Sequence, residues 1–154
     1  KSNLKRLKLS AKILNEDFIQ FDNEKKYDVI LIDAPCSAVG TIRRNPEIFF
    51  KNKGPNFKKL LSLQENMLVK ASNLLNKNGF IIYMTCSFLK IETIDQVKKF
   101  VKQNDNFLVS NFSIKENENE YSKLIDNNFM ITLPNKIFNY NIDGYFAAFL
   151  KKIK

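Results

Sequence analysis

Histidine and tryptophan are absent from the 154 residues, and cysteine, glycine and proline are scarce at two, four and four. With no histidine and only two thiols, one chain cannot assemble the four soft ligands of a zinc or iron–sulfur site, so no metal is expected. No secretory leader or long apolar run is visible. That pattern argues against a membrane and favours a reducing cytoplasm with free thiols, although spacing leaves a Cys36–Cys86 disulfide open. No internal repeat or low-complexity linker stands out. The 44% apolar content suffices for one domain with a core, and the length is too short for two. Acidic residues are outnumbered 16 to 25, and the formal charge of +9 makes nucleic acid the first partner to consider. Frequent Lys, Asn and Ile also raise the charge without any binding purpose. Lys1 in place of Met points to a fragment or a processed chain.

What cysteine there is falls in matching places. Cys36 lies in Asp33-Ala34-Pro35-Cys36-Ser37 and Cys86 in Thr85-Cys86-Ser87; each follows a strand-like apolar run and precedes a serine. The run Tyr27 to Ile32 is β-branched, too short for a helix and too apolar for an edge, and so predicts a buried parallel strand. Phe57 to Leu75 has a helical period, with Lys77 and Gly79 in the order of a C-terminus, and Phe80 to Met84 predicts the next strand. Strand, crossover helix and strand make a right-handed βαβ unit whose outgoing loops emerge on one side, so Asp33, Cys36 and Cys86 can meet. Elsewhere the periodicity predicts helices over Asn3 to Leu14 and Ile91 to Gln103, and a short strand at Phe18 to Phe21. Further strands are predicted at Phe107 to Phe112, Phe129 to Leu133 and Gly144 to Leu150, the last two pairing antiparallel at the sheet edge. Gly40 to Asn56 reads as a long loop with at most a short helical piece, and Lys115 to Asn128 as a solvated excursion.

Asp33 stands where a strand gives way to a loop, the usual ledge for ligands in an open α/β sheet, and Pro35 stiffens the turn. An aspartate there can bind a ribose or a magnesium ion, fix a substrate amine, or cap its own turn. Cys86 is a candidate nucleophile, activated by nearby cations or backbone donors; a small buried residue closing a strand gives the same pattern, and Cys36 has the same two readings. Arg43 and Arg44 follow the Cys36 loop and suit phosphate contacts, though arginine pairs are also ordinary on surfaces. Phe49, Phe50 and Phe57, near Lys51, Lys53, Lys58 and Lys59, can stack bases or anchor a helix.

These residues resemble the RNA cytosine-C5 methyltransferases of the NOL1/NOP2/Sun family, from about Asn3 to Lys152. The anchors are Asp33 to Glu47, Gln64, Gly79, Tyr83 to Ser87, Glu92 and Asp143 to Ala148. The resemblance implies a class I S-adenosylmethionine-dependent methyltransferase fold, Rossmann-like α/β, with a mostly parallel sheet, helices on both sides and an antiparallel last strand. It implies that Cys86 attacks C6 of a cytosine in RNA, specifically 16S ribosomal RNA, so that C5 takes the methyl group of S-adenosylmethionine. Cys36 then assists product release and Asp33 steadies the ring, with cofactor contacts at Asp17, Asp33 and Pro35 and RNA contacts at Arg43 and Arg44. A cytoplasmic monomer is expected.

The chain departs from the family at Ala38, where glycine is usual after the serine, and at Thr93-Ile94, where a polar pair is usual after Glu92. It also begins after the strand and glycine-rich turn that back the cofactor's methionine end, and after the strand whose acidic end takes the ribose. Residues 1–154 are therefore expected to be a partial catalytic domain without those N-terminal strands, holding the substrate side of the site and the adenine edge of the cofactor site. Two rivals remain: a noncatalytic, truncated RNA-binding remnant, and a thiol redox protein cycling Cys36 and Cys86.

Overall fold

The computed structural model describes residues 2–50, 54–111, 125–126, 128–137 and 140–154. Tyr27–Asp33 forms β1 and Leu75–Thr85 forms β2, parallel, with Ile30 opposite Ile81 and Asp33 opposite Met84. Between them runs α2 (Phe57–Leu74), completing the expected βαβ unit. Asn56 caps α2 by accepting the Lys59 N–H at 3.0 Å. Its C-terminus is capped from elsewhere: Lys152 Nζ reaches the Ser72 and Leu75 carbonyls at 3.0 Å, and Lys26 Nζ the Asn73 carbonyl at 2.8 Å. Asn76 to Gly79 therefore does not close the helix. It belongs to β2, bulged opposite Tyr27 to Val29, with Asn78 at φ 64°.

The final strand, β8 (Tyr145–Lys152), is central and not at the edge as expected. It pairs antiparallel with β2 on one side, Met84 opposite Ala147, and on the other with β3 (Phe107–Val109) and β5 (Phe129–Thr132). Its apolar sequence explains the place, since Phe146, Ala147, Ala148 and Leu150 are all buried. β4 (Ile125–Asp126) adds to β5, and β6 (Asn135–Ile137) with β7 (Tyr140–Ile142) forms a separate hairpin. The sheet is thus mixed, with the antiparallel last strand that was expected. The excursion expected at 115–128 lies outside the described residues apart from 125, 126 and 128, as does Phe112.

α3 (Ile94–Gln103) follows a single 3-10 turn at Lys90–Glu92 and turns Val97 and Phe100 inward. Helices α2 and α3 pack on each other over the sheet face carrying Ile81 and Tyr83, where Tyr83 meets Phe146 edge to face at 6.3 Å. Among the described residues the helices cover one face, not two. β1 is consequently not buried as expected: among the described residues it pairs only with β2, and while Ile30 and Ile32 face the core, Val29 and Leu31 are 54% and 59% exposed.

Two expectations near the N-terminus also fail. Helix α1 spans only Ser2–Leu7, because Lys8 adopts φ 54° and the Leu9 N–H returns to the Leu4 carbonyl at 3.0 Å, a left-handed helix stop. Of the apolar residues that set the longer period, Leu7, Ala11 and Leu14 are exposed, and a short helix without a packed face is not sustained. Phe18 to Phe21 is a turn, the Gln20 and Phe21 N–H groups both donating to the Asp17 carbonyl.

Candidate active site

The parallel pairing of β1 and β2 brings the two cysteine loops together at one end of the sheet. Ala34 N–H donates to the Met84 carbonyl at 2.9 Å, extending the ladder one step past Asp33. Two residues further on, Cys36 Sγ lies 3.4 Å from Cys86 Sγ, both thiols free and half-buried. Burial pushes the Cys36 thiol up to about 12, and Cys86 and the Glu92 carboxylate push the same way against a backbone hydrogen bond at Ala38. Cys36 therefore stays protonated, and either sulfur can be the donor of the pair. Asp33 is exposed beside them, and its carboxylate accepts no hydrogen bond among the described residues.

The loop after Cys36 is closed by backbone contacts. Gly40 N–H donates to the Cys86 carbonyl at 3.0 Å, and Gly144 N–H to the Gly40 carbonyl at 2.7 Å, so three segments meet at main-chain distance. Ala38 sits at φ 59°, ψ 19°, in the left-handed region, where a Cβ costs about 1–2 kcal/mol. Ala38→Gly is expected to stabilise the fold by roughly 0.5–1 kcal/mol after the extra chain entropy of glycine is counted. Urea unfolding checks this; a destabilised variant would mean that the methyl group packs better than its backbone suffers.

Several participants went unassigned in the sequence. Glu92 is fully buried and accepts hydrogen bonds from Ser37 N–H, Ser37 Oγ and Ser87 Oγ at 2.8, 2.5 and 2.7 Å. Gln64, also fully buried, donates to the Pro35 carbonyl at 2.8 Å. The serine after each cysteine was the available signal. Tyr145 continues the register of β8 to a place beside Cys86; burial first, then Cys86 and Asp33, hold its hydroxyl above the usual phenol range.

Arg43 and Arg44 lie next to this site, and both are engaged. Arg43 Nη2 stands 3.1 Å from Asp143 Oδ1, and Arg44 Nε pairs with Asp143 Oδ2. Two guanidinium groups on one carboxylate leave a single positive charge in excess, and Arg44 remains 57% exposed. Asp17 lies apart from the thiols, in the turn before β1, where its Oδ1 accepts the Ile19 N–H at 2.9 Å. Its neighbours Glu16 and Phe18 line an apolar cleft of about 330 Å³ with Leu14, Phe21, Val29 and Ile30. Pro35 is exposed. Lys51 and Lys53 lie outside the described residues, and Phe50 is 80% exposed. Among the described residues no helix is long and apolar enough to cross a membrane.

A family model described as 16S rRNA methyltransferase RsmB/F matches residues 1–151. The ribosomal RNA small subunit methyltransferase B of Salmonella agona is 39% identical over 104 residues, covering 66% of this chain and 24% of that protein. The protein of the same name from Shewanella oneidensis is 38% identical over 102 residues, 64% of this chain and 24% of its own. The crystal structure of NSun6 from Pyrococcus horikoshii with SFG has a TM-score of 0.77 at 24% identity and covers 99% of this chain and 38% of that one. The expected α/β methyltransferase-type fold is thereby found. The chain spans about a quarter of the length of the curated relatives it matches.

Proposed function

The chain belongs to the 16S rRNA methyltransferase RsmB/F family, and from that premise we propose that it carries the substrate side of an enzyme methylating C5 of a cytosine in 16S ribosomal RNA. The observation that carries this reading is the pair of thiols 3.4 Å apart at the ends of two neighbouring strands. Cytosine C5 is too weak a nucleophile to be methylated unaided, and covalent attack of Cys86 Sγ on C6 makes it an enamine carbon. When bound, S-adenosylmethionine supplies the electrophilic methyl group. The C5 proton then leaves to solvent, the Sγ–C6 bond breaks, and Cys86 departs as a thiolate. Cys36, held as a thiol, donates a hydrogen bond to that departing sulfur and lowers the cost of the charge.

The role we assign to Asp33, exposed beside the thiols, is to accept from the amino group of the base. The residues also fit the cofactor: the apolar cleft beside Asp17 suits a flat heteroaromatic ring, and the exposed Asp33 and Pro35 would hold the side nearer the thiols. Bringing the base out of its stack costs a few kcal/mol, which phosphate contacts by Arg43 and Arg44 offset. The proposed setting is the cytoplasm, with the chain as a monomer.

Ribosomal RNA carrying 5-fluorocytosine tests the reading, because fluorine at C5 blocks the proton loss that frees the enzyme. With S-adenosylmethionine present, a denaturant-stable adduct is expected with this chain and none with Cys86→Ser. RNA retained on a native gel without any adduct would instead support the noncatalytic RNA-binding remnant.

A further inference from the structure

Both cysteine loops are held by a carboxylate that touches neither thiol through a hydrogen bond. Glu92 enters from the 3-10 turn ahead of α3 and is 0% exposed. Its Oε1 accepts the Ser37 N–H at 2.8 Å and the more distant Gln64 Nε2 at 3.5 Å, while its Oε2 accepts Ser37 Oγ at 2.5 Å and Ser87 Oγ at 2.7 Å. Ser37 follows Cys36 and Ser87 follows Cys86, so the two oxygens bridge the backbones that carry the two sulfurs. The clasp is braced on its far sides. Gln64 also holds the Pro35 carbonyl, Gln96 Nε2 donates to Gln64 Oε1 at 3.2 Å, and Tyr83 Oη donates to the Glu92 carbonyl at 2.9 Å. The Leu89 N–H donates to Ser87 Oγ at 3.2 Å, which leaves that hydroxyl's own hydrogen for Glu92.

A buried carboxylate is costly unless its oxygens are filled by donors, and here the donors come from two different loops. Satisfying the charge and fixing the loop-to-loop distance are thus one arrangement. We infer that Glu92 is a positioning residue: its carboxylate sets the spacing of Cys36 and Cys86 by clasping Ser37 and Ser87. The consequence for methyl transfer rests on the proposed roles of the two thiols. The spacing itself can be measured without RNA or cofactor.

The measurement is closure of a disulfide on the reduced chain with dithiodipyridine, an aromatic disulfide. The first cysteine thiolate displaces one pyridinethione and leaves a mixed disulfide; the second cysteine attacks the sulfur of the first and displaces another. Both cysteines are oxidised as one reagent molecule is reduced to two thiones, and each release is seen by absorbance. The ratio of second to first release reports how well the sulfurs are placed, independently of how fast the reagent enters. Glu92→Met, similar in length and unable to clasp, is expected to lower that ratio by about tenfold or more, since small displacements of reacting groups cost such factors. Glu92→Gln is expected to stay within about threefold, because its amide oxygen still accepts the Ser37 N–H and its NH2 donates to hydroxyls that can reverse. Met closing as fast as the unaltered chain, or Gln falling as far as Met, overturns the inference. If Glu92→Met does not fold, Ser37→Ala and Ser87→Ala each remove one arm of the clasp. Both closing at the unaltered rate overturns it, and a lowered ratio in either supports it.

Discussion

Cys36→Ala is expected to convert turnover into accumulation: unmodified 16S ribosomal RNA, S-adenosylmethionine and this variant should yield a methylated adduct that survives denaturation. The reason lies in the 3.4 Å separation, close enough for one sulfur to hydrogen-bond the other. Cys36, pushed up to about 12 by burial, stays a thiol and can hold a hydrogen bond to the sulfur that must leave C6 as an anion. Loss of one positioned hydrogen-bond donor to a developing anion slows the step it serves by roughly 10²–10³-fold. Formation of the adduct needs only Cys86 and should be little affected. Cys86→Ala gives the opposite outcome, with neither adduct nor methylated RNA. Denaturing gels with labelled RNA and labelled methyl donor separate the two. A Cys36→Ala variant that releases methylated RNA at the unaltered rate would remove Cys36 from the mechanism.

Gly40→Ala is expected to be the most destabilising single-methyl change in the chain. A Cβ at this position would stand 2.0 Å from the Gly144 carbonyl oxygen and 2.9 Å from that of Cys86, both backbone atoms that cannot swing aside. Relieving the clash means parting the Gly144–Gly40 and Gly40–Cys86 hydrogen bonds, 2.7 and 3.0 Å long, so that three segments separate together. The cost should be about 3 kcal/mol or more, against a total stability of roughly 5–15 kcal/mol for a domain. Gly54→Ala is the control, because among the described residues nothing lies within 4 Å of its added carbon. Urea midpoints should fall sharply for the first and scarcely move for the second. Equal midpoints would mean that the loops part at little cost.

The thiol pair was legible in the sequence because it depends on short-range rules: two apolar runs, one crossover helix, and loops leaving on the same side. The clasp was half legible. A serine after each cysteine is visible, but that Glu92 reaches both depends on where α3 docks. The commitment of Arg43 and Arg44 to Asp143 could not be read, since |i−j| is 99 for the Arg44 pair and nothing local records it. Nor could the central place of β8, because the order of strands along a chain does not give their order across a sheet. The error over Asn3 to Leu14 has a different origin. Helical period announces an apolar stripe, and a stripe makes a stable helix only against a partner surface; Leu7 is 52% exposed and Leu14 46%.

The same strand order has a consequence for when the site comes into being. Among the described residues β8 follows every other strand in sequence and is the middle one in the sheet, joining β2 to β3 and β5. During synthesis β1, α2 and β2 can pair as soon as they emerge, since their pairing needs no residue after Thr85. The register that seats Gly144 against Gly40 and Tyr145 beside Cys86 must wait for residues 144–152, and such long-range pairings form slowly. A nascent chain that has already made both cysteines therefore lacks Gly144 against the Cys36 loop and Tyr145 beside Cys86 until β8 pairs.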